Sequence, residues 1–123
     1  FDKVESILAA YGGREIAAIA GSVIAARVRG IPVLLDGFIC TAAAATLTLF
    51  DKKILDHCFI SHLSTEPGHS GLIKHLNKDP ILDLNLRLGE GSGAAVASLI
   101  IKSALVTHNG MSTFSEAGVS EKN

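Results

Sequence analysis

Apolar and polar positions change period several times along this chain, and each change predicts an element. Over residues 1–10, Val4, Ile7 and Leu8 share one helical face while Asp2, Lys3 and Glu5 lie elsewhere, and Gly12-Gly13 ends the pattern. From Arg14 to Val28 apolar and small residues run almost unbroken (Ile16, Ala17, Ile19, Ala20, Val23, Ile24, Ala25). That predicts a helix suited to close packing on a sheet, with Gly30 as its C-terminal cap. Ile31 to Asp36 is a continuous β-favouring run, the mark of a strand covered on both faces, and Pro32 sits near its start where a missing N–H does least harm. Asp36-Gly37 ends the run, and Phe38 to Phe50 is again helical and alanine-rich.

A second strand is predicted at His57–Ser61, running out through His62-Leu63-Ser64. Thr65-Glu66-Pro67-Gly68 reads as a turn and helix start, with Pro67 in the first turn of a short helix over 70–76. Leu82, Leu84, Leu86 and Leu88 then alternate with Asp83, Asn85 and Arg87, a strand or extended segment delivered into Gly89-Glu90-Gly91-Ser92-Gly93. An apolar helical run from Ala94 to Val106 follows, ending near Asn109-Gly110, and residues 111–123 read as a loose polar tail. Helix, buried strand, turn and helix in succession argue for an α/β fold with a parallel sheet. Only two strands are clear, fewer than a free-standing parallel sheet usually has. The pattern therefore describes part of a three-layer α/β/α Rossmann-like fold, helix-rich and incomplete, with residues 1–110 as the C-terminal part of a larger α/β domain and 111–123 as a tail.

Composition narrows the function. The 123 residues suffice for one domain, and 48% are hydrophobic with a mean hydropathy of +0.40, much of it alanine. The net charge is −1 with both signs scattered, so no basic stripe recommends nucleic acid or an anionic membrane as partner. Arg27, Arg29, Asp36, Asp51 and Lys52 interrupt the first half before any run reaches the ~18 apolar residues of a membrane span, and no signal peptide is visible. Cys40 and Cys58 lie in apolar contexts without CxxC spacing and read as buried free thiols of a cytoplasmic protein. The chain opens at Phe1 already in a helical pattern, the expectation for a fragment or a trimmed chain.

Ligands of open α/β sheets collect outside the carboxyl ends of the strands. Three polar clusters are predicted there: Asp36-Gly37, Ser61 to Ser64, and Gly89 to Gly93. Taken singly, Asp36 and Ser64 serve equally well as helix caps. Gly89-x-Gly91-x-x-Ala94 fits a dinucleotide fingerprint, but no acidic residue follows at ~20 positions on a second strand. The turn also lacks the lysine of a P-loop, and Ser92 lacks the preceding glycine of a nucleophile elbow. Glu90 would repel a phosphate. Either it is a carboxylate placed at a helix start, worth ~0.3–1 kcal/mol, or it acts chemically on something bound beside the turn. His57, His62, His69 and His75 with Cys58 fit no metal-ligand spacing, and His69 and His75 are expected to face solvent.

The same residues resemble a known family. Gly12-Gly13-Arg14-Glu15-Ile16-Ala17, Ile31-Pro32-Val33-Leu34-Leu35-Asp36-Gly37-Phe38, Ser61-His62-Leu63-Ser64-x-Glu66-Pro67-Gly68-His69 and Leu86-Arg87-Leu88-Gly89-Glu90-Gly91-Ser92-Gly93-Ala94-Ala95 are similar to the C-terminal portion of the nicotinate-nucleotide–dimethylbenzimidazole phosphoribosyltransferases. The tail motif Thr113-Phe114-x-Glu116-Ala117-Gly118-Val119 extends the likeness. The resemblance implies transfer of phosphoribose from nicotinate mononucleotide to a ring nitrogen of dimethylbenzimidazole, giving α-ribazole phosphate and nicotinate in cobalamin lower-ligand synthesis. It puts the general base at Glu90, Asp36 and Ser64 on the ribose or substrate side, and backbone contacts at Gly89 and Gly91. It implies no metal and no organic cofactor, and a homodimer as the working form. Family members are longer, and their N-terminal half supplies further substrate contacts. The alternative is a truncated, inactive α/β module that self-associates, or binds a partner such as the missing half, through exposed apolar surface.

Overall fold

The computed structural model describes residues 3–120. A short helix α1 (Val4–Ile7) runs into a π-helical turn, Leu8–Gly12, and Gly13 at φ 108° redirects the chain into α2 (Arg14–Val28). Phe1 and Asp2 of the predicted first helix lie outside the described residues. Gly30 at φ 66° closes α2 as anticipated: its N–H donates to Arg27 O at 3.0 Å and the Ile31 N–H to Ala26 O at 2.9 Å, the paired bonds of a Schellman cap. There follow β1 (Val33–Leu35), α3 (Gly37–Ala45) with a 3-10 turn Thr46–Leu49, β2 (Cys58–Ser64), α4 (His69–His75), β3 (Pro80–Leu86) and α5 (Ser92–Gly110).

The strands form an open parallel sheet in the order β1-β2-β3. Val33 pairs with Cys58 and Leu35 with Ile60, so these side chains share one face. That face meets Val23, Ala44, Leu47, Leu55 and Ile73 in the main core. Leu34 and Phe59 point to the other face, which α5 crosses in contact with all three strands. The result is α/β with helices on both sides of the sheet.

Several expectations need correction in detail. The alternating leucine segment is a full third strand in its first part, extending to Leu86. Its alternation fails because the register jumps: His62 pairs with Leu82 and Ser64 with Leu86, with Asn85 at φ 55° between. This bulge turns Leu84 out to solvent. Strand β1 has three residues and is not covered on both faces, since Ile31 and Pro32 are exposed and Leu34 lines an open apolar groove of about 670 Å³ beside α5. Helix α2 packs chiefly on α3 rather than on the sheet. Pro67 precedes α4, which starts from Gly68 at φ 88°. Residues 111–120 are exposed and held by a local turn in which Glu116 accepts from the Thr113 N–H and hydroxyl, at 2.8 and 2.9 Å. Among the described residues no helix is long and apolar enough to cross a membrane.

Candidate functional site

The carboxyl ends of all three strands open onto one edge of the sheet, and the predicted clusters meet there. Asp36 follows β1 directly and occupies the N-cap position of α3, yet its side chain makes no bond to that helix. It reaches 55 residues along the chain instead. Oδ2 accepts from the Gly91 N–H at 3.0 Å and Oδ1 from the Ala94 N–H at 2.8 Å, so Asp36 caps α5. The cap reading of this residue is correct in chemistry, but the helix is a distant one. A carboxylate there also meets the positive end of the α5 dipole. Two donors at that helix start are thereby committed to an anionic side chain, which disfavours the turn as a phosphate cradle.

Between β3 and α5 the backbone takes three successive left-handed residues, Gly89 (φ 75°), Glu90 (φ 56°) and Gly91 (φ 74°). Glycine does this freely, whereas a residue with a Cβ is strained by ~1–2 kcal/mol. Strain of this kind concentrates at functional positions. The Ser92 N–H closes the turn on Gly89 O at 3.0 Å. Glu90 stands at its tip, exposed, and its carboxylate has no hydrogen-bond partner among the described residues.

Ser64, at the end of β2, is 5% exposed. Its hydroxyl accepts from the Glu66 N–H at 3.3 Å, and its N–H donates to His69 Nδ1 at 3.0 Å. The adjoining Thr65 N–H donates to Leu86 O at 3.2 Å, which ties the loop after β2 to the strand that carries the glycine turn. Asp36, Gly89, Glu90 and Gly91 thus form one bonded unit, with Ser64 at the end of the neighbouring strand β2.

Two histidines are built into this edge: His62, which lies inside the predicted Ser61 to Ser64 cluster but was given no role, and His69. His69, expected to face solvent, is fully buried. The Thr41 hydroxyl donates to Gly37 O at 2.7 Å, so its oxygen accepts from His69 Nε2–H at 3.2 Å while Nδ1 takes the Ser64 N–H. That fixes a neutral Nε2–H tautomer. Burial, and then the neighbouring His62, hold the His69 pKa below its ordinary value, with Glu66 pulling the other way. His62, 1% exposed, packs against Gly37 and Gly93. Ser61 gives its hydroxyl proton to Leu35 O at 2.7 Å and so accepts from His62 Nδ1–H at 2.9 Å; the same nitrogen lies 3.7 Å from Asp36 Oδ1. The sequence signal for His62 was present in the two glycines that make room for its ring, but nothing local links them. Among the described residues no three His, Cys, Asp or Glu side chains gather as metal ligands.

An open parallel sheet with helices on both faces, and a strained, exposed carboxylate on a glycine turn at its carboxyl edge, define an α/β protein whose candidate site lies where such sheets ordinarily take ligands. A profile of the phosphoribosyltransferase family matches residues 2–119. The chain is 57% identical over 111 residues to a nicotinate-nucleotide–dimethylbenzimidazole phosphoribosyltransferase of Methylorubrum extorquens, covering 90% of this chain and 32% of that protein. It is 53% identical over 114 residues to the enzyme of the same name from Brucella canis, covering 93% and 34%. The crystal structure of the Thermus thermophilus counterpart superposes with a TM-score of 0.88 at 41% identity, covering 97% of this chain and 36% of that one. The chain belongs to the phosphoribosyltransferase family, and it spans about a third of the length of the curated relatives it matches.

Proposed function

We propose that this chain supplies the general-base portion of a cytoplasmic enzyme that moves phosphoribose from nicotinate mononucleotide to dimethylbenzimidazole, in the synthesis of the cobalamin lower ligand. The ring nitrogen of dimethylbenzimidazole attacks the anomeric carbon from the face opposite nicotinate. The carbon–nitrogen bond to nicotinate breaks with its electron pair, the anomeric configuration inverts, and the N–H proton passes to Glu90. The pyridinium is already a good leaving group, so the protein has to align the nucleophile and remove one proton. Alignment is the larger contribution, since effective molarities reach ~10⁵–10⁸ M, and a placed base adds ~10²–10⁴-fold. Asp36, Ser64, Gly89 and Gly91 border the substrate side.

The observation that carries this reading is Glu90 itself: a charged residue in a left-handed conformation, exposed and unpartnered, on a turn whose neighbouring helix donors are taken by Asp36. In an enzyme of family length carrying this sequence, Glu90→Gln should slow formation of α-ribazole phosphate by ~10²–10⁴-fold while leaving nicotinate mononucleotide binding near normal. A variant that keeps the parental turnover rate removes Glu90 as the base.

A second reading, a non-catalytic module that associates with itself or with the rest of a longer polypeptide, is favoured by the apolar groove lined by Leu34, Phe59, Ile81 and Ile101. A homodimer is the form we expect. Sedimentation of this chain tests self-association: mass above 12.8 kDa supports it, and a clean monomer at high concentration counts against it.

A further inference from the structure

We infer that Asp36, backed by His62, is a positioning residue that aims Glu90 at its substrate. The inference rests on the reading of Glu90 as the base and assigns the device that orients it. The turn that carries Glu90 contains three left-handed residues in a row and one internal bond, Ser92 N–H to Gly89 O. Such a backbone keeps one orientation only if something outside it holds it. The holding bonds run from Gly91 N–H and Ala94 N–H to the two oxygens of Asp36, at 3.0 and 2.8 Å. They bracket the C-terminal side of Glu90, and both run to a carboxylate, which makes them stronger than bonds to a neutral acceptor.

Asp36 is in turn fixed from below. It sits between the last residue of β1 and the first of α3, and the Nδ1–H edge of His62 lies 3.7 Å from Oδ1. His62 is held in place: it is 1% exposed, Gly37 and Gly93 pack against its ring, and Ser61 holds Nδ1 at 2.9 Å. Strand end, imidazole, carboxylate and turn form one chain of contacts from the sheet core to Glu90. A residue serving only its own helix would bond α3; Asp36 makes no such bond.

The test is a kinetic cycle in an enzyme of family length carrying this sequence. Asp36→Asn keeps the shape but turns an amide NH₂ toward one of the two N–H donors. It should lower kcat by ~10–100-fold with the KM for nicotinate mononucleotide within about threefold, the scale expected of a misplaced group. The double variant with Glu90→Gln should be no slower than Glu90→Gln alone, since a residue acting through another adds nothing once that other is gone. Parental kcat in Asp36→Asn, or losses that multiply in the double variant, overturns the inference. If Asp36→Asn does not fold, an ester linkage in place of the Gly93–Ala94 amide deletes one of the two donors with every side chain intact and must give the same non-additive loss. If Glu90→Gln alone keeps full turnover, the base assignment fails and the positioning role falls with it. That outcome differs from a slow Glu90→Gln beside an unimpaired Asp36→Asn, which sinks the positioning role alone.

Discussion

Gly93 packs directly against the imidazole of His62: a Cβ added to Gly93 would overlap the ring at Nδ1, Cε1 and Cγ. A Cβ at Gly37 would stand 3.5 Å from Cε1 of the same ring. The start of α5 can approach the sheet edge only because the residue facing His62 has no side chain. This close approach is what lets Asp36 reach the α5 backbone.

Gly93→Ala should therefore destabilise the fold by ~1–3 kcal/mol, the usual cost of overpacking a filled interior. Gly37→Ala should cost ~1–2 kcal/mol for a different reason, its φ of 69°, the space itself being adequate. Denaturant unfolding of both variants measures the two effects. A neutral Gly93→Ala would mean that His62 has another place to go.

Glu90→Gly should act in the opposite sense on stability. Glycine adopts φ 56° without penalty, so relief of backbone strain should raise stability by ~1 kcal/mol even though the proposed base is gone. Chemical unfolding beside an activity assay reads both changes. A loss of stability would show that the Glu90 side chain makes a folded-state contribution larger than its strain.

The buried His69 predicts a pH dependence. Its pKa in the fold is lowered from 6.5, so on acidification the unfolded chain takes up a proton first. The stability contribution is complete above pH ~6.5 and is lost as pH falls below it towards the folded-state value, with a slope of at most ~1.4 kcal/mol per pH unit. Protonation of Nδ1 would also put a hydrogen against the Ser64 N–H. Unfolding curves between pH 7.5 and 5 should show the decline, and His69→Gln should flatten it whatever its own stability. An unchanged slope in that variant would assign the decline to another group.

Cys58 should be chemically quiet. Burial pushes its thiol up to about 11, against the opposing pull of Lys78 and Arg27. From the usual 9.0, that is about a hundredfold less thiolate at pH 8, and thiolate is the reactive form. Alkylation of the native protein, followed by mass spectrometry, should modify the half-buried Cys40 before Cys58, with both equally fast in denaturant. Rapid labelling of native Cys58 would point to local opening of the sheet.

Local sequence was enough to mark most of the elements and the sheet edge at which the candidate residues meet. The helical period of Arg14 to Val28, closed by Gly30, and the β-favouring run into Asp36-Gly37 are local properties, fixed by side-chain spacing and by the backbone freedom of glycine. So is the glycine turn, and Glu90 stood out because its charge disagreed with the only ligand such turns ordinarily cradle. Packing chose the partnerships. Asp36 reads from sequence as a cap for the helix that follows it, but a carboxylate bonds the unsatisfied donors that packing brings nearest, and those belong to α5. His69 falls on a short polar helix, and only the closure of α3 and α4 over β2 buries it between Thr41 and the Ser64 backbone. The leucine alternation of β3 promised an even pleat, and the bulge between the His62–Leu82 and Ser64–Leu86 pairs broke it because register is set between strands, not within one.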